Sequence, residues 1–116
     1  MSDEELGAPA LGAERTELFR ILATLADRIR NLPLARLERP RTGEDISPAD
    51  HVRAAAQALA DLAADAEQVP RRPLPRLAVH GTGDQFAVVC TDLARHANAD
   101  SFAAARMIAT QVRRQL

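Results

Sequence analysis

Five consecutive residues, His80-Gly81-Thr82-Gly83-Asp84, bring an imidazole, a hydroxyl, a carboxylate and two glycines onto one short turn. Glycine lets a ligand approach the main chain closely, and the free N–H groups that open a helix favour an anion. His80, Thr82, Gly83 and Asp84 are therefore the candidate anion site. A glycine-built phosphate cradle also needs a preceding strand and longer glycine spacing. Without them, the plainer reading is a tight turn leading into a helix. Asp92 and His96 stand four residues apart, so a helix puts them on one face. Such a pair is half a metal site or an oriented acid–base couple. His51 and His80 lie at no ligand-like spacing from it, so a solvated ion pair is the simpler reading and no metal is expected. Cys90 would be a nucleophile if a histidine activated it. It lies between Phe86 and Leu93 on an apolar stripe, where a thiol packs as a small hydrophobe. No residue is assigned a catalytic or cofactor-binding role, and the chain is expected not to be an enzyme.

A longer pattern runs from Leu93 to Ile108. Leu93, Ala94 and Ala97 are apolar at helical spacing, Asn98 takes a turn position, Asp100 follows as a cap, and Met107 and Ile108 close the second helix. This stretch resembles the helix-turn-helix signature of bacterial DNA-binding proteins. The resemblance implies that Arg95, Ser101, Phe102 and Arg106 face outward toward DNA. Base edges are read by Arg, Asn or Gln, and of the outward positions on the second helix only Arg106 is one of these. Residues 82–116 carry four Arg against three Asp, a thin positive balance for a phosphate-binding surface. Nucleic acid is thus the second choice of partner, behind protein.

The elements that must hold these residues are helical. The chain has 116 residues, which suits one domain with one core. All 15 basic residues are arginine and lysine is absent, the usage expected of a GC-rich bacterial genome. The single cysteine allows no internal disulfide and fits a reducing cytoplasm. No apolar run approaches the ~20 residues of a membrane span, and the acidic start Met1-Ser2-Asp3-Glu4-Glu5 lacks the features of a secretory signal. The expectation is a soluble cytoplasmic protein with no membrane contact.

Residues 1–12 hold Gly7, Pro9 and Gly12 and no sustained periodicity, so a flexible acidic tail is expected there. A first helix follows from about Ala13 to Asn31, on the stripe Leu18, Leu22, Leu25, Ile29 and Leu32, widened by Phe19 and Ala26. Pro33 stops it, and Pro33–Leu37 has room for one helical turn. Ser47-Pro48-Ala49-Asp50 is a strong helix start: a hydroxyl cap, proline at the first position, a carboxylate at the third. That second helix runs to Pro70 on Val52, Ala55, Ala56, Leu59, Leu62, Ala63, Ala66 and Val69. Ala54, Ala58, Ala60 and Ala64 lie off this stripe and are the candidate self-association face. Pro70, Pro73 and Pro75 stiffen a connector read as a strap across the fold. A third helix is expected over Gly83–Ala97 in preference to a β-hairpin over 77–91. Its start is the capping-box sequence Thr82-Gly83-Asp84-Gln85. A fourth helix carries Phe102, Ala105, Ala109, Val112 and Leu116.

Charge is blocked along the chain. Residues 1–14 carry −4, 15–42 carry +4, 43–69 carry −5 and 70–116 carry +4, for a net of −1. Neighbouring helices of opposite sign would neutralise one another. The expected architecture is all-α: a small antiparallel four-helix bundle over 13–116 with a flexible tail over 1–12. The expected role is a small non-enzymatic interaction or accessory module, self-associating as a homo-oligomer. The alternatives are a DNA-binding regulator and a small-molecule or anion-binding bundle.

Overall fold

The computed structural model describes residues 3–116, with side chains from Gly12 onward. Five α-helices are present: α1 Asp3–Asn31, α2 Leu34–Glu38, α3 Pro48–Glu67, α4 Thr82–His96 and α5 Ala99–Arg114. A single 3-10 turn, Val79–Gly81, leads into α4, and no strand occurs among the described residues. The first helix thus begins well before Ala13. The flexible tail expected over 1–12 is not shown: Met1 and Ser2 lie outside the described residues, and the backbone from Asp3 belongs to α1.

Each long helix buries the stripe that its spacing predicts. Leu18, Leu22, Leu25 and Ile29 of α1, Val52, Ala56, Leu59 and Ala63 of α3, Phe86, Cys90 and Leu93 of α4, and Phe102, Ala105, Ala109 and Val112 of α5 form one core. Phe19 and Val69 are exceptions: α3 stops at Glu67, short of Pro70, which leaves Val69 exposed beyond its cap. Phe19 remains 46% exposed, on the edge of the α1 stripe. α1 packs on α4 and α5, and α3 packs on the same two helices from the other side. α2 closes the end of the core with Leu37 and rests on α3.

Side-chain links fix the directions of the helices. Near the end of α1, Arg30 Nε donates to Asp84 in the first turn of α4 at 3.0 Å. Arg15, earlier in α1, donates to the carbonyls of Ala94 (2.6 Å) and Ala97 at the end of α4. α1 and α4 therefore run in opposite senses. α5 starts at Arg15, whose guanidinium lies 5.7 Å from the centre of the Phe102 ring. It ends where Arg36 donates to the Leu116 carbonyl at 2.9 Å, so α5 runs along α1. α3 runs along α4, for His96 and Glu67 meet at the ends of the two helices, 3.7 Å apart. Two helices point one way and two the other, but the neighbours α1/α5 and α3/α4 are parallel. A strict alternation of antiparallel neighbours is not what these links give.

The connector between α3 and α4 is the expected strap. Gln57 of α3 grips it twice, donating to the Arg72 carbonyl at 3.1 Å and accepting from the Leu74 N–H at 2.8 Å. Arg53 donates to the Leu77 carbonyl at 2.8 Å, and Gln85 to the Pro75 carbonyl at 2.9 Å. Three prolines remove backbone donors and stiffen the strand-like path, so side chains of α3 and α4 supply the missing bonds.

The two ends of α3 carry two predictions. At the N-terminus, the Ser47 hydroxyl accepts from the Asp50 N–H at 3.1 Å, as the sequence predicts. The Asp50 carboxylate accepts from Arg53 at 2.6 Å and from Arg76 of the strap at 3.4 Å. The Arg53 hydrogen bond, aided by Arg76, holds this carboxyl below the usual range. Its contribution is therefore present above about pH 4, the ordinary carboxylate value, and is lost as pH falls through the lower folded value. Asp50 is 44% exposed, so solvent screening limits the effect to a few tenths to about 1 kcal/mol. Urea unfolding of Asp50→Asn should show a lower midpoint at neutral pH and a smaller fall on acidification than the parent chain.

At the C-terminus, Gln68 caps α3 in the left-handed region, with φ 61° and ψ 41°. Glycine takes this conformation without the clash between Cβ and carbonyl. Gln68→Gly should raise stability by about 0.5–1 kcal/mol, net of the extra freedom of the unfolded chain. A thermal midpoint about 2–5 °C higher would register it.

Candidate functional site

The candidate anion site is occupied by the fold itself. Thr82 and Gly83 are buried. The Thr82 hydroxyl donates back to the Val79 carbonyl at 2.8 Å and caps nothing. The expected capping box does not form, because α4 opens at Gly81 with no side-chain cap and Gln85 reaches the strap instead. The 3-10 turn delivers the chain already in helical geometry, so the cap position shifts and the hydroxyl faces inward. Gly83 sits directly against α1: a Cβ there would lie 2.9 Å from Arg30 Cγ and 3.1 Å from Arg30 N. Asp84 is exposed and holds Arg30, and His80 is exposed with no partner in the turn. The four residues form a helix-crossing contact.

The outward set implied by the helix-turn-helix pattern splits in two. Arg95 and Arg106 are exposed, whereas Ser101 and Phe102 are buried. Asn98 is the cap of α5, and the buried Ser101 hydroxyl completes a reciprocal capping box with it. α5 therefore begins one residue before Asp100, which places Phe102 on the core side. Met107, matched to an apolar interior position, is 63% exposed. The turn between α4 and α5 is instead fastened by Arg15, which satisfies two carbonyls at the end of α4.

The four alanines of α3 do not share one face. Ala54 and Ala58 lie toward α5, in a shallow recess with Ile108, Gln111 and Gln115. Ala60 and Ala64 lie on the side that also carries Gln57 and Arg53, the residues holding the strap. Of the four, Ala54 is exposed and the others are half-buried.

Asp92 and His96 are 3.8 Å apart, and Glu67 of α3 approaches the same imidazole at 3.7 Å. No group among the described residues has the geometry of a metal site. Cys90 is buried, and desolvation pushes its thiol up to about 12, so it carries no thiolate near neutrality.

A different surface emerges where α1 and α5 run side by side. Their parallel course leaves a groove of about 450 Å³. Ile21, Leu25 and Ala109 form its floor, and Arg20, Arg28, Arg106 and Arg113 line it against one acid, Glu17. Arg20 clasps Glu17 through Nε (3.1 Å) and Nη2 (2.6 Å). This hydrogen bonding, with a further pull from Arg106, lowers the Glu17 carboxyl below the usual range. Among the described residues, Arg28, Arg106 and Arg113 enter no ion pair. An apolar floor with cationic rims accepts an amphipathic segment whose flanks are acidic. Neither Arg20 nor Arg28 stands out in the sequence, because both lie off the apolar stripe of α1. The signal was nonetheless there: Arg20 and Arg28 are eight apart and Arg106 and Arg113 seven apart, each pair returning to one helix face.

No protein-family model matches the chain, and neither a curated protein nor a solved structure matches it.

Proposed function

We propose that this chain is a non-enzymatic interaction module: an all-helical domain whose four long helices act as a bundle, with α1 and α5 presenting a docking groove for an acidic amphipathic helix. One observation carries the reading, namely three arginines with no acidic partner among the described residues on the rims of an apolar-floored groove, in a chain of net charge −1. Exposed arginines need no apolar floor to hold phosphates, whereas a docked helix uses both. A protein partner is therefore favoured over nucleic acid. The buried Ser101 and Phe102 point the same way, since they leave the helix-turn-helix pattern with two of its four contacts.

Fluorescence anisotropy with a labelled helical peptide, leucine on one face and glutamate on its flanks, tests this. Binding should weaken as salt rises, and Arg106→Glu with Arg113→Glu should weaken it about tenfold or more. Equal binding of a lysine-flanked peptide, or binding to duplex DNA that the same pair of changes abolishes, would overturn the reading.

A further inference from the structure

We infer that the occupant of the α1/α5 groove is the N-terminal segment of α1, residues 3–14, from a second copy of this chain. The inference rests on the groove reading above and names its partner.

The first described side chains of α1 stand clear of the other helices. Arg15 marks where the α4–α5 turn is fastened to α1. Before it, Gly12, Ala13 and Glu14 are exposed, and a Cβ added at Gly12 would meet nothing within 4 Å. Residues 3–14 make about 18 Å of helix at the usual rise. The groove spans residues 17–28 of the same helix, an equal length.

Charge selects the pairing. The segment carries Asp3, Glu4, Glu5 and Glu14 and no base, while the groove carries four arginines and one glutamate. Spacing agrees: Asp3, Leu6, Gly7, Ala10 and Glu14 recur at helical intervals, so one face holds an acid at each end and small or apolar residues between. Gly7, Pro9 and Gly12 make the segment a poor helix in isolation, so its helical backbone calls for a surface to dock on.

Two α1 helices laid antiparallel, with the two-fold axis between residues 15 and 16, lay each segment on the other copy's groove; Glu14 then falls beside Glu17, whose charge is already held by Arg20 with Arg106 close by. Asp3 of one copy then falls beside Arg28 of the other, Leu6 beside Leu25, and Ala10 beside Ile21. The exchange is reciprocal, so each copy gives one segment and receives one, and the assembly closes as a dimer.

Sedimentation velocity of the full chain, from micromolar to millimolar concentration and at low and high salt, tests the inference. The chain should be a salt-sensitive dimer. Asp3→Arg with Glu4→Arg and Glu5→Arg should weaken it about tenfold or more, and so should Arg28→Glu with Arg113→Glu. All five changes together should restore it, because the arginines at the start of one segment then face the glutamates that replace Arg28 and Arg113. Arg28 and Arg113 are exposed, and circular dichroism of each variant checks that the fold is kept. A monomer at every concentration that still binds the glutamate-flanked peptide would overturn this occupant and leave the groove reading standing. A dimer indifferent to both sets of changes would also overturn it, and would place self-association elsewhere. A monomer that binds neither peptide would overturn both.

Discussion

Phe86→Ala is expected to cost about 3–5 kcal/mol and to lower the thermal midpoint by about 10–20 °C. Phe86 is completely buried, and it sits on α4, the helix that packs against both α1 and α3. Removing its ring withdraws apolar surface from the core and leaves a hole between helices tied by Arg15, Arg30 and the strap. Those ties resist collapse, which puts the cost toward the upper end of the range. A domain of this size has about 5–15 kcal/mol in total, so the variant stands near the edge of folding. Phe19→Ala is the internal control. Its ring is 46% exposed, and its loss should cost about 1 kcal/mol or less. Urea titrations of the two variants should differ by several-fold in their effect; equal effects would show that α4 does not hold the centre of the fold.

Gly83→Ala is expected to destabilise by about 1–3 kcal/mol, opposite in sign to the usual result of replacing a helical glycine. In an open helix the change gains up to about 1 kcal/mol, because alanine restricts the unfolded chain. At Gly83 the added methyl would meet Arg30 Cγ at 2.9 Å, Arg30 N at 3.1 Å and Arg30 Cα at 3.2 Å. A flexible side-chain end could yield, but the N and Cα belong to the backbone of α1. Relief therefore requires the helices to part, which also stretches the Arg30–Asp84 link. Gly83→Val, with a branched side chain, should be worse still. Gly12→Ala is the matching control, because nothing lies within 4 Å of its Cβ; it should be neutral or gain up to about 1 kcal/mol. Thermal unfolding of the three variants gives the answer, and a stabilised Gly83→Ala would refute the close crossing.

The residues that betrayed the helices are those whose spacing carries the signal by itself. Leu18, Leu22, Leu25 and Ile29 could only be buried together on one rod, and they are. Ser47, Pro48 and Asp50 encode a helix start within four residues, so local chemistry was enough. Thr82 had the same kind of signature and failed, because the turn before it decided where its hydroxyl points. Phe102 carried two readings at once: its spacing with Ala105, Ala109 and Val112 put it on the apolar stripe, where it lies, and only the helix-turn-helix resemblance, with its cap at Asp100 in place of Asn98, turned it outward. The groove arginines were visible as spacing within each helix, but nothing in the sequence says that α1 and α5 lie side by side.

The sequence by itself determined that the chain would be helical and which stripe of each rod would face inward, because period and capping are properties of neighbours along the chain. Tertiary structure alone decided which rods meet, and so turned Gly83 from a ligand cradle into a crossing point and four scattered arginines into one rim. Such pairings depend on contacts between residues far apart in sequence, such as Arg15 with Ala97 and Arg30 with Asp84, for which no local pattern exists.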